Sequence, residues 1–354
     1  MLTESDTIEA YAGQMSTTLI DHDHDPGADA ASARVSALES SASEPIETGG
    51  SRVLVGTASW TDPTMTASGV FYPKGADNAE ERLAYYASSF PVVEVDATYY
   101  ALPAERTAQL WAERTPPDFT FDIKAHALMT GQGTETKRLP KAIREALPPE
   151  MQEKTRIYAK DFPAELNDEV WRMFRSALAP LEERGQLGSI LLQYPKWVFP
   201  SNENRAQIDD AVERLKGWRA AVEFRNASWL NDKNRDRTLA FLSERSIPFV
   251  MVDEPQGFKS SVAPEVVVTS PDLAIVRFHG RNAATWEAKN ITPAERFRYL
   301  YSRDELSEWV PRIREAADQA KEVHLMFNNC YANYGTTNAR EIADLLAEEL
   351  AAAS

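Results

Sequence analysis

Eight apolar runs recur along the chain, each closed by polar or charged residues and each separated from the next by helix-like sequence. They occupy residues 53–59, 92–98, 119–126, 189–194, 220–225, 248–253, 274–279 and 323–329. Short, almost continuous apolar runs between helical stretches read as parallel strands covered by helices. Eight such repeats predict an α/β fold, a (β/α)8 barrel of the TIM type, in which the C-terminal ends of the strands build the active site.

Local signals place the helices. Asp77 or Asn78 caps a helix ending near Phe90, and Pro103 opens the helix after the second strand. Further helices are expected at 168–184, 203–215, 232–245 and 304–321, and a last one begins near Asn338. The stretch between the third and fourth strands is long and carries Pro140, Pro148, Pro149 and Pro163. Its size fits a lid over the strand ends or an inert insertion. Residues 1–50 are rich in Ser, Ala, Asp, Glu and Thr, lack periodicity, and read as a disordered acidic tail. The barrel domain then covers 51–354. The run Asp21-His22-Asp23-His24-Asp25 offers metal-binding chemistry without fixed geometry and reads as solvated tail.

Side chains alternate across a strand, so apolar neighbours sort the charged ones to the opposite face. Val93 and Val95 oppose Glu94 and Asp96; Phe121 and Ile123 oppose Asp122 and Lys124; Val222 and Phe224 oppose Glu223 and Arg225; Val276 and Phe278 oppose Arg277 and His279. If the apolar face packs on helices, the charged face fills the barrel. Buried charge is costly unless paired, so the convergence calls for a reason. Deep groups such as Asp122, Glu223 and Arg277 fit a structural ion-pair layer as well as a functional one. Groups nearer the mouth, such as Lys124, His279 and Asn328, fit function better.

From these come the candidates. Glu94, Lys124, Glu223 and His279 are the acid–base candidates. Arg225, Arg277 and Arg281 suit a carboxylate or phosphate, Gln193 and Asn328 offer neutral hydrogen bonds, and Trp60, Tyr99 and Trp229 offer ligand walls. A metal site from Glu94, Glu223, Asp253 and His279 lacks a recognised spacing, and none is expected. A Lys124 Schiff base is chemically allowed. No P-loop, G-x-G-x-x-G or G-x-S-x-G occurs, which leaves nucleotide-dependent kinase and triad-hydrolase readings without support. No cofactor is expected.

Composition narrows the partners. The 354 residues carry a formal net charge of −16, which disfavours a nucleic-acid groove and anionic membranes. Arg34 is the only Lys or Arg in the first fifty residues. Cys330 is the single cysteine, so no intrachain disulfide and no cysteine metal cluster can form. No long apolar stretch suggests a membrane span, and the first residues lack the pattern of a secretory signal. A cytoplasmic protein with a small-molecule ligand is expected, its oligomeric state left open.

Several motifs, in order from about residue 52 onward, carry a resemblance. They are Val55-Gly56-Thr57-Ala58-Ser59-Trp60, Phe71-Tyr72-Pro73, Val93-Glu94-Val95-Asp96-Ala97-Thr98-Tyr99-Tyr100 and Phe121-Asp122-Ile123-Lys124. Then follow Leu192-Gln193-Tyr194-Pro195, Ala221-Val222-Glu223-Phe224-Arg225 with Ser228-Trp229, Arg277-Phe278-His279-Gly280-Arg281-Asn282, and Phe327-Asn328-Asn329 with Asn338-Ala339. Together they resemble the domain-of-unknown-function 72 (YecE-like) family. The resemblance implies a TIM-barrel-like fold and no settled activity. Asn226-Ala227 departs from the His-Pro common at that place in the family, so no role of that histidine carries over. Three functions remain in view: an acid–base enzyme for a small polar or anionic metabolite, a non-catalytic metabolite-binding barrel, and a carbohydrate-active enzyme using Glu94 and Glu223 as paired carboxylates.

Overall fold

Eight parallel strands wind into a nearly closed barrel. In this computed structural model residues 26–36, 38, 42–67 and 71–353 are described. The barrel strands are β2 (Ser51–Ala58), β3 (Val92–Val95), β4 (Thr120–Lys124), β7 (Leu187–Tyr194), β8 (Ala220–Phe224), β9 (Val250–Asp253), β10 (Ala274–Phe278) and β11 (Glu322–Phe327). Three short strands lie outside it. β1 (Ile46–Thr48) pairs antiparallel with β2, and β5 (Thr134–Glu135) pairs with β6 (Arg156–Ile157) in a separate ribbon.

The hydrogen-bonded order is β8-β7-β4-β3-β2-β11-β10-β9. Between its two ends, β8 and β9, only the bridge Val222↔Phe249 and the bond from the Val222 amide to the Pro248 carbonyl (2.9 Å) close the circle. Each expected run became a strand because its apolar face had a helix to meet: Val93, Val95, Phe121, Ile123, Val222, Phe224, Val276 and Phe278 are all buried. Gly56 marks the tightest approach, since a β-carbon there would stand 2.0 Å from the Val92 carbonyl oxygen on the neighbouring strand.

The outer ring follows its caps. Helix α2 (Ala79–Ala87) starts at Asn78, whose side chain takes the Glu81 amide in a capping box. α3 (Glu105–Glu113) packs on α4 (Ala164–Glu183), and α5 (Asn202–Arg214) and α6 (Arg235–Ser243) follow β7 and β8. The helix expected at 304–321 is broken into Arg303–Ser307 and α7 (Val310–Ala317). Pro311 explains the break: it has no N–H to donate and its ring crowds the preceding turn. α8 (Tyr334–Ala353) closes the chain.

The expectation of a structureless tail through residue 50 needs correction for its second half. Pro26–Val35 is a helix, α1, whose Ala28 and Ala31 are buried against Tyr331, Ala332 and Tyr334. Arg34 holds it there through both carboxylate oxygens of Glu341 (2.6 and 2.5 Å) and the Tyr301 carbonyl (2.6 Å). Acidic composition hid this, because two alanines and one arginine suffice for docking. The run from Asp21 to Asp25 lies outside the described residues. The long segment before α4 is also packed rather than loose, with Ile143, Leu147, Ile157 and Phe162 in the main core. Among the described residues no helix is long and apolar enough to cross a membrane.

Candidate active site

Arg277, fully buried on β10, is the hub of the interior. Its Nη1 donates to Glu223 on β8, and its Nη2 to Glu94 on β3. Glu223 is ringed by further donors: Gln193 Nε2 at 2.7 Å, Arg225 Nη1 at 3.2 Å and His279 Nε2 at 3.2 Å. Asn328 Nδ2 donates to His279 Nδ1 at 2.9 Å, which leaves the imidazole proton on Nε2, facing the Glu223 carboxylate. Strand alternation puts these groups inside; the circle of strands brings their ends together.

Environment divides the carboxyls. Burial would raise Glu223, but Arg277, His279 and Arg225 outweigh it and hold its carboxyl well below the usual range. Glu94 goes the other way. Burial and the neighbouring Asp96 outweigh Arg277 and Lys124, and its carboxyl is pushed up to about 8. Burial also acts on Asp96, yet Lys124, with Nζ 3.0 Å from it, and Arg277 bring it below its ordinary value. Burial pushes His279 down to about 3 against the pull of Glu223, so its imidazole is neutral at physiological pH.

The mouth is less closed than the hub. The Asp96 and Lys124 side chains retain 25% and 14% exposure, whereas Glu94 has 2%. Lys124 lies over the Tyr99 ring, 5.1 Å from its centroid, and the Tyr99 hydroxyl donates to Gln132 (2.7 Å). Gln132 in turn donates to the Gln193 carbonyl, so the segment between β4 and β7 does frame the site. On the opposite side Arg225 stacks on Trp286 at 4.5 Å and pairs with Glu254, whose carboxyl burial pushes up to about 8.

Of the candidate residues, Glu94, Tyr99, Lys124, Gln193, Glu223, Arg225, Arg277, His279 and Asn328 share this one network. Three do not. Trp229 is fully buried, stacked on Phe224 at 4.1 Å, and belongs to the core rather than to a ligand wall. Trp60 is buried edge-on against Trp111 of α3. Arg281 directs its donors at Asp253 and Glu308, which removes it as a free anion grip. Asp96 was legible as a charge at a strand end; Glu254, one residue past the run that ends at Asp253, was not, and Gln132 and Trp286 sit in long connections that carry no periodic signal.

A second polar cluster fills the other end of the barrel. His324 donates to Asp122 (2.7 Å) and Glu322 (2.9 Å), Ser189 donates to Asp122 (2.7 Å), and Arg219 reaches Glu322 (2.8 Å). Its distance from the strand C-termini makes it part of the scaffold. Gly188 leaves room for it, since a β-carbon there would stand 2.6 Å from Asp122 Oδ1. At the hub, the Arg277 guanidinium occupies the gap between Glu94 and Glu223, where a glycosidase leaves space for substrate and water. Among the described residues no group of three or more His, Cys, Asp or Glu is arranged to hold a metal ion.

Comparison with known proteins agrees with this architecture. A family described as "Protein of unknown function DUF72" matches residues 54–354. The UPF0759 protein YunF of Bacillus subtilis is 28% identical over 298 residues, 83% of this chain and 94% of that protein. A DUF72 family protein of Thermotoga maritima, known from its crystal structure, is 30% identical with a TM-score of 0.64, covering 83% of this chain and 99% of its own. Another, from Enterococcus faecalis, is 26% identical with a TM-score of 0.66, covering 83% and 95%.

Proposed function

Given that the chain belongs to the DUF72 family of proteins of unknown function, we propose that it is an enzyme that works by acid–base chemistry on a small, polar, anionic metabolite at the mouth of its barrel. One arrangement carries this reading: burial and Asp96 push the Glu94 carboxyl up to about 8, while Lys124 brings the neighbouring Asp96 down and Arg277 brings Glu223, on its far side, well below the usual range. Neighbouring groups whose environments push their acidities apart are suited to be proton donor and proton acceptor. Asp96, open to the mouth, connects Glu94 to a bound substrate. Lys124, over Tyr99, supplies the charge that holds the substrate's anionic group, and Gln193 adds a neutral donor. His279, neutral and aimed at Glu223, positions that carboxylate.

The charge balance supports an anionic ligand. Lys124, Arg225 and Arg277 face the carboxyls of Glu94, Asp96, Glu223 and Glu254, and burial pushes two of these, Glu94 and Glu254, up to about 8, which weakens the negative charge opposing the cations. A cytoplasmic setting is part of the same reading, in keeping with a single cysteine. The depth of Glu94 favours one alternative, a barrel that binds its metabolite without converting it.

The test is incubation of the purified protein with a metabolite extract, followed by native mass spectrometry of what stays bound and profiling of what is consumed. One small anion is expected to disappear as a product forms. Glu94→Gln keeps the shape and loses the transferable proton, so turnover should fall by roughly 10²–10⁴-fold and its pH dependence near 8 should vanish. An anion recovered unchanged would assign the protein to the binding alternative. Neither depletion nor retention of any anion would end the reading.

A further inference from the structure

Outside the barrel interior, one guanidinium lacks the partners that its burial demands. Arg205, on the first turn of α5, is 8% exposed, and its Nε and Nη2 meet no acceptor. Arg277, more deeply placed, is bracketed by the carboxyls of Glu94 and Glu223. Arg205 instead lies over the Trp229 ring, 5.5 Å from its centroid. That ring is fixed by its stacking on Phe224 and by the bond from its Nε1 to the Val198 carbonyl (2.8 Å). The indole therefore seats the arginine and gives its charge no oxygen.

The surroundings add positive charge. Arg237, near the start of α6, reaches across to Asn202 Oδ1 at 2.9 Å, which pins a second guanidinium beside the first turn of α5. Burial and Arg237 both weaken the hold of Arg205 on its proton, and no carboxylate opposes them. The nearby acids are engaged or turned out. Asp209 is bound to Arg245, Asp210 to Arg214, and Glu203 is exposed. Water could meet the N–H groups of Arg205 but would leave two cations uncompensated at the N-terminal end of a helix, where the peptide dipoles also favour negative charge.

We propose that Arg205 and Arg237, at the start of α5, form a binding site for a tetrahedral oxyanion of the phosphate type. Guanidiniums match such groups with paired N–H donors, and a helix start supplies amides. α5 and α6 follow β7 and β8, so the starts of both helices lie at the same end of the molecule as the mouth, in the outer ring. It shares no residue with the interior network and does not rest on the catalytic reading.

Calorimetric titration of the full chain with inorganic phosphate tests this, with acetate as a separate arm at matched ionic strength. Phosphate should bind the wild type, at least tenfold more weakly to Arg205→Met and measurably more weakly to Arg237→Gln. Thermal melts confirm folding; Arg205→Met in phosphate-free buffer should melt no lower than wild type, because an apolar replacement of an unpaired buried cation carries little penalty. Absence of binding to the wild type, or equal binding to Arg205→Met and Arg237→Gln, overturns the site. Acetate binding as tightly as phosphate overturns the assignment to a tetrahedral group.

Discussion

His324 is a side chain whose chemistry folding changes decisively. Burial alone would drive the proton off, but Asp122 and Glu322, one on each ring nitrogen, hold it and raise the imidazolium's pKa to about 9. A group whose pKa is raised by folding contributes fully below its unfolded value, about 6.5, and that contribution fades as pH climbs through the folded value. In denaturant titrations the wild type should therefore exceed His324→Gln by most near pH 6. The gap should shrink by on the order of 3 kcal/mol by pH 9.5; a gap that ignores pH would refute the imidazolium. Glu94 acts in the same direction, since its raised pKa makes the fold favour the protonated form that alkali removes. Alternation along each strand already pointed Glu94, Lys124, Glu223, Arg277 and His279 inward. It could not tell that Trp229 and Arg281, beyond the strand ends, turn toward the core and toward Asp253.

Helix α1 shows how little an element needs in order to dock. Two buried alanines and Arg34 bind it to the loop after β11 and to α8, and Asn333 Nδ2 adds bonds to the Ala28 carbonyl (3.2 Å) and to Ser32 (3.0 Å). Arg34→Ala leaves Glu341, 3% exposed, without its guanidinium. The loss should be on the order of 1–2 kcal/mol. Hydrogen exchange should show amides 27–36 losing protection while β10 and β11 keep theirs. Protection unchanged at 27–36 would mean that the alanines alone hold the helix. Propensity cannot reveal such an element, because its stability lies in contacts 300 residues away in the chain. The break before α7 is the opposite case: Pro311 was visible in the sequence, and its effect on the preceding turn is local.

The barrel closes unevenly. Parallel ladders join every neighbouring pair from β8 round to β9, with one register shift between β4 and β7, while β8 meets the residue before β9 at a single bridge. This seam should open first: in native-state hydrogen exchange the Val222 amide should exchange at lower opening free energy than those of Leu54 and Leu325, in the β2–β11 ladder. Equal protection at all three would mean that closure is as strong as the ladders. The sequence by itself determined the eight strands, their alternation and the sign of each inward charge, because these depend on residue type and a two-residue period. It also determined the capping of α2. Tertiary structure alone decided which inward charges meet. Arg277 bridges Glu94 and Glu223 from strands far apart in the order, and that contact exists only because the sheet curls round on itself. Acidity followed the same rule: Glu94 and Glu223 are the same residue type in similar strands, and opposite balances of burial against cationic neighbours raise the pKa of one and lower that of the other. Those balances depend on distances across the barrel, which no local pattern along the chain encodes.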